Sequence, residues 1–297
     1  MPVRSSSLIL DVLGMYVRPI GNWIAVADLV RLMEELGVES APTRSAISRL
    51  ARQGTIASVV RDGVRGYSLP PAAIPAMERA DRRILGTVPP ASIDGEWLLV
   101  SFSVPESRRS ERDHIRRRLR GLGFGNLSGG TWIAPAHLED ELEAVFDELG
   151  LPPDTEIFIG RLSPRTDAAA MVARAWDLSH LRNRYQAFLE RTSPVLERWE
   201  GRTNAVTGDE EHEARGQGEH GHTGGTDTAA FVDFTTVVHH WREIPYLDPG
   251  LPRGLLPPDW PGIPAVGAFA RVRELLEAAA HRHVAELTAA HREGVHR

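Results

Sequence analysis

The 297-residue chain contains no cysteine, and all 34 of its lysine-plus-arginine residues are arginine, so lysine is missing too. Without cysteine there is no thiolate nucleophile, no thiolate-bound zinc, no disulfide and no thiol redox switch. Without lysine there is no Walker-A lysine, Schiff base or catalytic amine. A Gly-x-Ser-x-Gly elbow, a His-Glu-x-x-His helix and a glycine-rich phosphate loop before a helix are also absent. No apolar run reaches about 18 residues, so no transmembrane helix is expected. No signal peptide is read at the start, and the expectation is a cytoplasmic protein without membrane partner.

What is present is a globular composition, 42% hydrophobic and 25% charged, with a net charge of −6. That charge is uneven. Residues 1–90 hold 11 Arg against 8 acids, residues 91–165 hold 9 against 13, and residues 166–297 hold 14 against 19. The head is therefore net basic and the rest acidic. Thr87-Val88-Pro89-Pro90-Ala91-Ser92 reads as a linker, and a second break falls near Pro164. The expected organisation is α+β and multidomain, with domains at 1–90, 91–165 and 166–297. Residues 201–228, polar and glycine-rich, are expected to be a disordered insertion in the third.

In the head, Leu8, Ile9, Val12, Leu13, Tyr16 and Val17 recur at helical spacing, interrupted by Asp11 and ended by Pro19 and Gly21. Trp23–Ala25 is a short strand candidate. Val26 to Leu36 makes a second helix, stopped at Gly37. Ser40-Ala41-Pro42 opens a third, with Ser40 as a cap candidate. On a wheel of about 100° per residue, Ala46, Ile47, Leu50 and Ala51 fall on one side of that third helix with Thr43. Arg44, Ser45, Ser48, Arg49 and Arg52 share an acid-free arc of roughly 140° opposite. Two β-prone runs then flank Asp62-Gly63, a hairpin signal, with Arg61 and Arg65 at the tip. This pattern predicts a winged helix-turn-helix. The candidate DNA contacts are Thr43, Arg44, Ser45, Ser48, Arg49 and Arg52 on the helix, and Arg61 and Arg65 on the wing. A helix of this width fits the major groove, and arginine can donate two bonds to guanine.

In the middle segment, Leu98, Val100, Phe102 and Val104 alternate with Ser101 and Ser103 as a strand. Glu106–Leu122 is a helix with an apolar seam of Ile115, Leu119 and Leu122 and an arginine-rich exposed side. Phe124–Leu127 and Thr131–Ala134 flank a Ser-Gly-Gly turn. A helix over 138–149 and a strand over Thr155–Gly160 complete β-α-β-β-α-β, the ferredoxin-like order, which by itself names no function. Some such domains are metal-dependent nucleases, the alternative function, but these carry an aspartate at the end of the first strand. Val100–Pro105 has no carboxylate.

The last segment reads as helices over 168–176, 178–199, 229–243 and 266–291, separated by a proline-rich stretch that excludes regular structure. Four of the seven tryptophans lie here. An aromatic-lined space beside arginines would suit an anionic, aromatic effector. Trp176, Arg184, Trp241, Arg242 and Tyr246 are the candidate effector residues, against the alternative that each tryptophan simply fills core. His212, His220 and His222 sit in the glycine-rich insertion, which lacks the rigid surroundings a metal site needs, so no metal and no cofactor is expected.

Together these segments resemble the PaaX family, bacterial repressors of phenylacetic acid degradation. The resemblance rests on Leu13-Gly14-Met15-Tyr16-Val17-Arg18-Pro19 and Arg44-Ser45-Ala46-Ile47-Ser48-Arg49-Leu50 in the head. In the middle it rests on Trp97 through Glu106 and on Leu122-Gly123-Phe124-Gly125. At the end it rests on Trp241-Arg242-Glu243-Ile244-Pro245-Tyr246-Leu247-Asp248-Pro249-Gly250-Leu251-Pro252 and Leu256-Pro257-Pro258-Asp259-Trp260-Pro261-Gly262. The resemblance implies a homodimeric repressor, not an enzyme, bound to an inverted-repeat operator in double-stranded DNA. It implies release by an aryl-acyl-coenzyme A such as phenylacetyl-coenzyme A, and a middle domain like the CRISPR nuclease domain but used for assembly.

Overall fold

The computed structural model describes residues 5–86, 91–146, 150–209 and 222–292. It is a mixed helix and sheet structure with two antiparallel sheets. The chain divides into two compact units, one from Met1–Arg82, Leu189–His240 and Val266–Arg297, the other from Arg83–Phe188 and Trp241–Ala265.

The first unit opens with α1 (Ser5–Val12), which runs on as a π-helical turn over Leu13–Val17. Then come β1 (Ile24–Ala25), α2 (Val26–Glu35), α3 (Ser40–Arg52), β2 (Ala57–Arg61), β3 (Val64–Ser68) and α4 (Ile74–Leu85). Ser40 lies inside α3 rather than capping it; Glu39 holds the cap position and makes no side-chain cap bond. The hairpin turns on Asp62 and Gly63 with φ of 49° and 78°. Both central residues are left-handed, the geometry that matches the twist of flanking strands. Strand order is β1-β3-β2, with Ile24 opposite Tyr67 and Arg61 opposite Val64. Gly66 permits that order: a Cβ there would stand 2.4 Å from the Trp23 ring and 2.4 Å from the Ile24 carbonyl oxygen.

Later parts of the chain complete this unit. They come from the long helix α8 (Leu178–Asp209), from α9 (His222–Trp241) and from α11 (Gly262–Arg292). Tyr16, Phe231 and Phe234 are fully buried in its core with Ile9 and Leu13. The expected irregular segment 201–228 is therefore corrected at both ends: 201–209 and 222–228 are helical, and 210–221 lie outside the described residues. His212 and His220 lie outside them too, as do linker residues 87–90.

The second unit holds β4 (Trp97–Ser101), α5 (Arg109–Gly121), β5 (Gly125–Ser128), β6 (Thr131–Pro135), α6 (Glu139–Ala144) and β7 (Glu156–Gly160). Strand order is β5-β6-β4-β7, antiparallel throughout. Because side chains alternate along a strand, the sheet has two faces to cover. Leu98, Val100, Trp132 and Ala134 pack with Ile115 and Leu119 of α5 and Leu142 of α6. Trp97 and Ile133 point the other way, against Met171 and Val172 of α7 (Ala168–Ala175), Trp176, Leu251 and Leu255. The proline-rich stretch does hold regular turns, α10 (Ile244–Leu247) and a 3-10 turn over Arg253–Leu255. Pro245 sits in the first turn of α10, where a missing N–H has no intrahelical partner to lose.

Candidate nucleic-acid interface

Helix α3 shows the face that its spacing predicts. Ala46, Ile47 and Leu50 are buried, while Arg44, Ser45, Ser48, Arg49 and Arg52 are exposed. Thr43 is a correction: it is 0% exposed, so its hydroxyl cannot reach a ligand outside the fold. The physical reason is its place on the wheel beside Ala46 and Ile47. Arg49 donates from Nη2 to Ser6 Oγ at 2.7 Å, which fixes one fork of its guanidinium near the start of α1. On the hairpin, Arg65 is exposed and Arg61 half-buried. The Arg61 guanidinium lies 5.3 Å from the Trp23 ring centroid, a cation–π contact that holds it against the hairpin.

The helices behind this face are tied down by histidines that belong to none of the candidate sites. His239 of α9 donates from Nδ1 to Asp11 of α1 at 2.6 Å. His283 of α11 donates from Nε2 to Glu35 of α2 at 2.6 Å, and its Nδ1 meets Thr228 Oγ1 at 3.2 Å. His291 donates from Nδ1 to Asp28 of α2 at 2.8 Å. Tyr16 shares a 2.8 Å hydrogen bond with Thr235. Burial pushes the Tyr16 hydroxyl well above the usual tyrosine range, so it stays neutral. The available signal was Asp11 interrupting an apolar helix face: a buried carboxylate needs a partner. Its partner lies 228 residues away in the chain.

The candidate effector residues all belong to the second unit and are engaged by protein groups. Trp176 is buried, donates to the Gly123 carbonyl at 2.9 Å and lies against Gly125. Trp241 is buried, donates to the Ile84 carbonyl at 2.9 Å and packs 5.0 Å from Phe188 between ring centroids. Arg184 pairs with Glu243. Tyr246 lies under the Arg83 guanidinium at 4.7 Å, and Arg242 is half-buried. Trp199 belongs to the first unit, where it donates to Asp233. Among the described residues no three histidine, aspartate or glutamate side chains group as metal ligands.

One buried polar knot orders the proline-rich stretch. Tyr185 donates to Asp248 Oδ2 at 2.8 Å, and the Gly250 and Leu251 amides donate to Asp248 Oδ1. Burial raises the Asp248 carboxyl above its ordinary range, against the pull of these donors.

Comparison with known proteins covers most of the chain. Residues 4–71 match the model for PaaX-like proteins, 90–172 match the PaaX protein central Cas2-like domain, and 176–286 match the PaaX-like protein C-terminal domain. The transcriptional repressor PaaX of Escherichia coli (strain K12) is 26% identical over 267 residues, which span 88% of this chain and 77% of that protein. Among solved structures, the uncharacterized protein Rv0674 from Mycobacterium tuberculosis is similar in fold, with a TM-score of 0.56 and 21% identity. That match covers 95% of this chain and 97% of the other.

Proposed function

This chain belongs to the PaaX family of transcriptional regulators, which are not enzymes, and from that premise we propose that it is a DNA-binding repressor whose α3 reads an operator. The observation that carries the reading is the split of α3 into a buried apolar side and an exposed, acid-free side of three arginines and two serines. The order α1, β1, α2, α3 and a β2–β3 hairpin supports a winged helix-turn-helix, in which α3 is the recognition helix of this reading. Arg44 and Arg49 supply forked donors for guanine edges, and Ser45, Ser48 and Arg52 reach bases or phosphates. Arg65, with Arg61 behind it, contacts the backbone beside the groove.

The order β5-β6-β4-β7 with two helices on one face supports a ferredoxin-like middle domain. In this reading it assembles the homodimer and performs no chemistry. Strand β7 is an open edge with Ile157, Phe158 and Ile159 exposed, which suits pairing with a second copy. A twofold dimer calls for an inverted-repeat operator. The regulated genes are those of aryl-acid catabolism of the phenylacetate type, and an aryl-acyl-coenzyme A releases the operator. Such a ligand must prefer the DNA-free conformation, because equal affinity for both states shifts nothing.

Titration of labelled operator tests the core of the reading. Replacing Arg49 with alanine should cost about 1–3 kcal/mol on the operator and little on unrelated DNA. Wild-type operator affinity in that variant would remove α3 as the recognition helix. Calorimetry with phenylacetyl-coenzyme A that gives neither heat nor operator release would remove that ligand and leave the regulator standing.

A further inference from the structure

The middle segment is acidic as a whole, yet residues 114–138 contain no aspartate or glutamate and hold four arginines, at 116, 117, 118 and 120. This stretch is continuous in the fold: the second half of α5, then β5, its turn and β6. The two halves of α5 differ in kind. Its start is neutralised, with Arg108 paired to Glu111, Arg112 to Glu106 at 2.7 Å, and Arg109 within 4.0 Å of both Glu106 and Asp113. Its second half turns Ile115 and Leu119 into the core and exposes Arg117 and Arg120.

Two of these cations are held in place. Arg116 donates from Nη2 to the Gly129 carbonyl at 3.1 Å, which sets it beside the exposed Ser128-Gly129 turn. The Arg120 guanidinium lies 5.4 Å from the Trp132 ring centroid. A guanidinium already fixed loses less freedom when it chelates a phosphate.

We propose that this surface, Arg116, Arg117 and Arg120 with the Ser128-Gly129 turn, is a second DNA contact that binds duplex phosphates flanking the operator. The proposal rests on the regulator reading above. Phosphate is the chemistry that forked arginines recognise, and the acids beside these, Glu106 and Asp113, already face Arg109 and Arg112 and offset only part of the charge. Duplex is favoured over single strand because the aromatic ring of the patch, Trp132, is fully buried and offers no face for a base to stack on. Sequence-independent contact is implied, since phosphates carry no base information. A patch carried on the same chain as α3 is tethered to bound DNA, so even weak contacts add to affinity.

The test measures binding of the full-length protein to a core operator duplex and to the same operator with a natural or scrambled extension on each side, over a range of salt. The variants are Arg117→Glu alone and Arg117→Glu with Arg120→Glu. Wild type should gain affinity and salt dependence with the extension, whatever its sequence. The double variant should lose that gain, about five- to tenfold, with a salt slope lower by roughly 4, as expected for two phosphate contacts per chain in a dimer. Arg117→Glu alone, at an exposed position, guards against a folding effect at Trp132 and should lose about half. Variants that keep the full gain, or lose affinity equally on both duplexes, would overturn the proposal and leave the regulator reading intact. Tighter binding of single-stranded extensions would also overturn it. Wild type that fails to prefer the operator at all would instead overturn the regulator reading.

Discussion

Asp248 illustrates how one buried carboxylate sets local stability. Its two oxygens accept from Tyr185 and from the amides of Gly250 and Leu251. Because burial raises its folded-state pKa, the folded protein keeps this proton to higher pH than the unfolded chain does. Its contribution to stability therefore falls as pH rises from about 4 through the raised value. Asp248→Asn keeps one acceptor for the amides and one polar group for Tyr185, so melting temperature should become less dependent on pH across that range. Asp248→Ala leaves three donors unanswered and should cost about 2–4 kcal/mol in denaturant unfolding. At the proposed DNA face, Thr43→Val should leave operator affinity unchanged, because Thr43 is buried on the inner side of α3; a tenfold loss would return it to the interface.

Among the elements, those that follow local rules are the ones that the sequence announces. Asp62-Gly63 fixes its hairpin because both residues tolerate positive φ. The α3 face follows from spacing alone. Short β1 is readable at Trp23–Ala25, but its seat against Gly66 is not, since that depends on a ring meeting a backbone. Gly66→Ala should accordingly destabilise the protein by at least about 1–3 kcal/mol and weaken hydrogen-exchange protection in β1 and β3. Helices with distant partners are the illegible part. The ends of α8 and α9 are polar and glycine-rich in sequence, yet they are helical. The histidines of α9 and α11 look like ordinary surface residues until Asp11, Asp28 and Glu35 stand opposite them. His283→Ala should leave Glu35 without this donor and lower stability by about 1–3 kcal/mol, whereas His283→Gln, which keeps an N–H donor, should recover part of it.

For the whole molecule, breaks along the chain and compact units in space are different divisions. Composition marks breaks near 90 and 165, and the strand-and-helix order of the middle stretch is legible because its elements follow one another in a single run of chain. The first unit, by contrast, draws on three stretches of chain. The candidate effector residues show the same limit: their aromatic and basic character is plain in the sequence, but whether such rings line a space or fill one depends on packing between distant segments. If the exposed β7 edge joins two copies, Phe158→Glu, at a position 54% exposed, should shift the protein to the mass of one chain in sedimentation without lowering its melting temperature. A dimer undiminished by that change would place the seam elsewhere.

The composite first unit has a consequence for synthesis. The first 82 residues emerge early, but α11, which shields Tyr16 with His281 and answers Glu35 and Asp28, does not begin until residue 262. At translation rates of about 5–20 residues per second, the newborn head waits on the order of 10–40 s for its cover. During that interval its buried acids and apolar helix backs are open to water, to chaperones and to other chains. A nascent head should therefore gain its full stability only once α11 has left the ribosome.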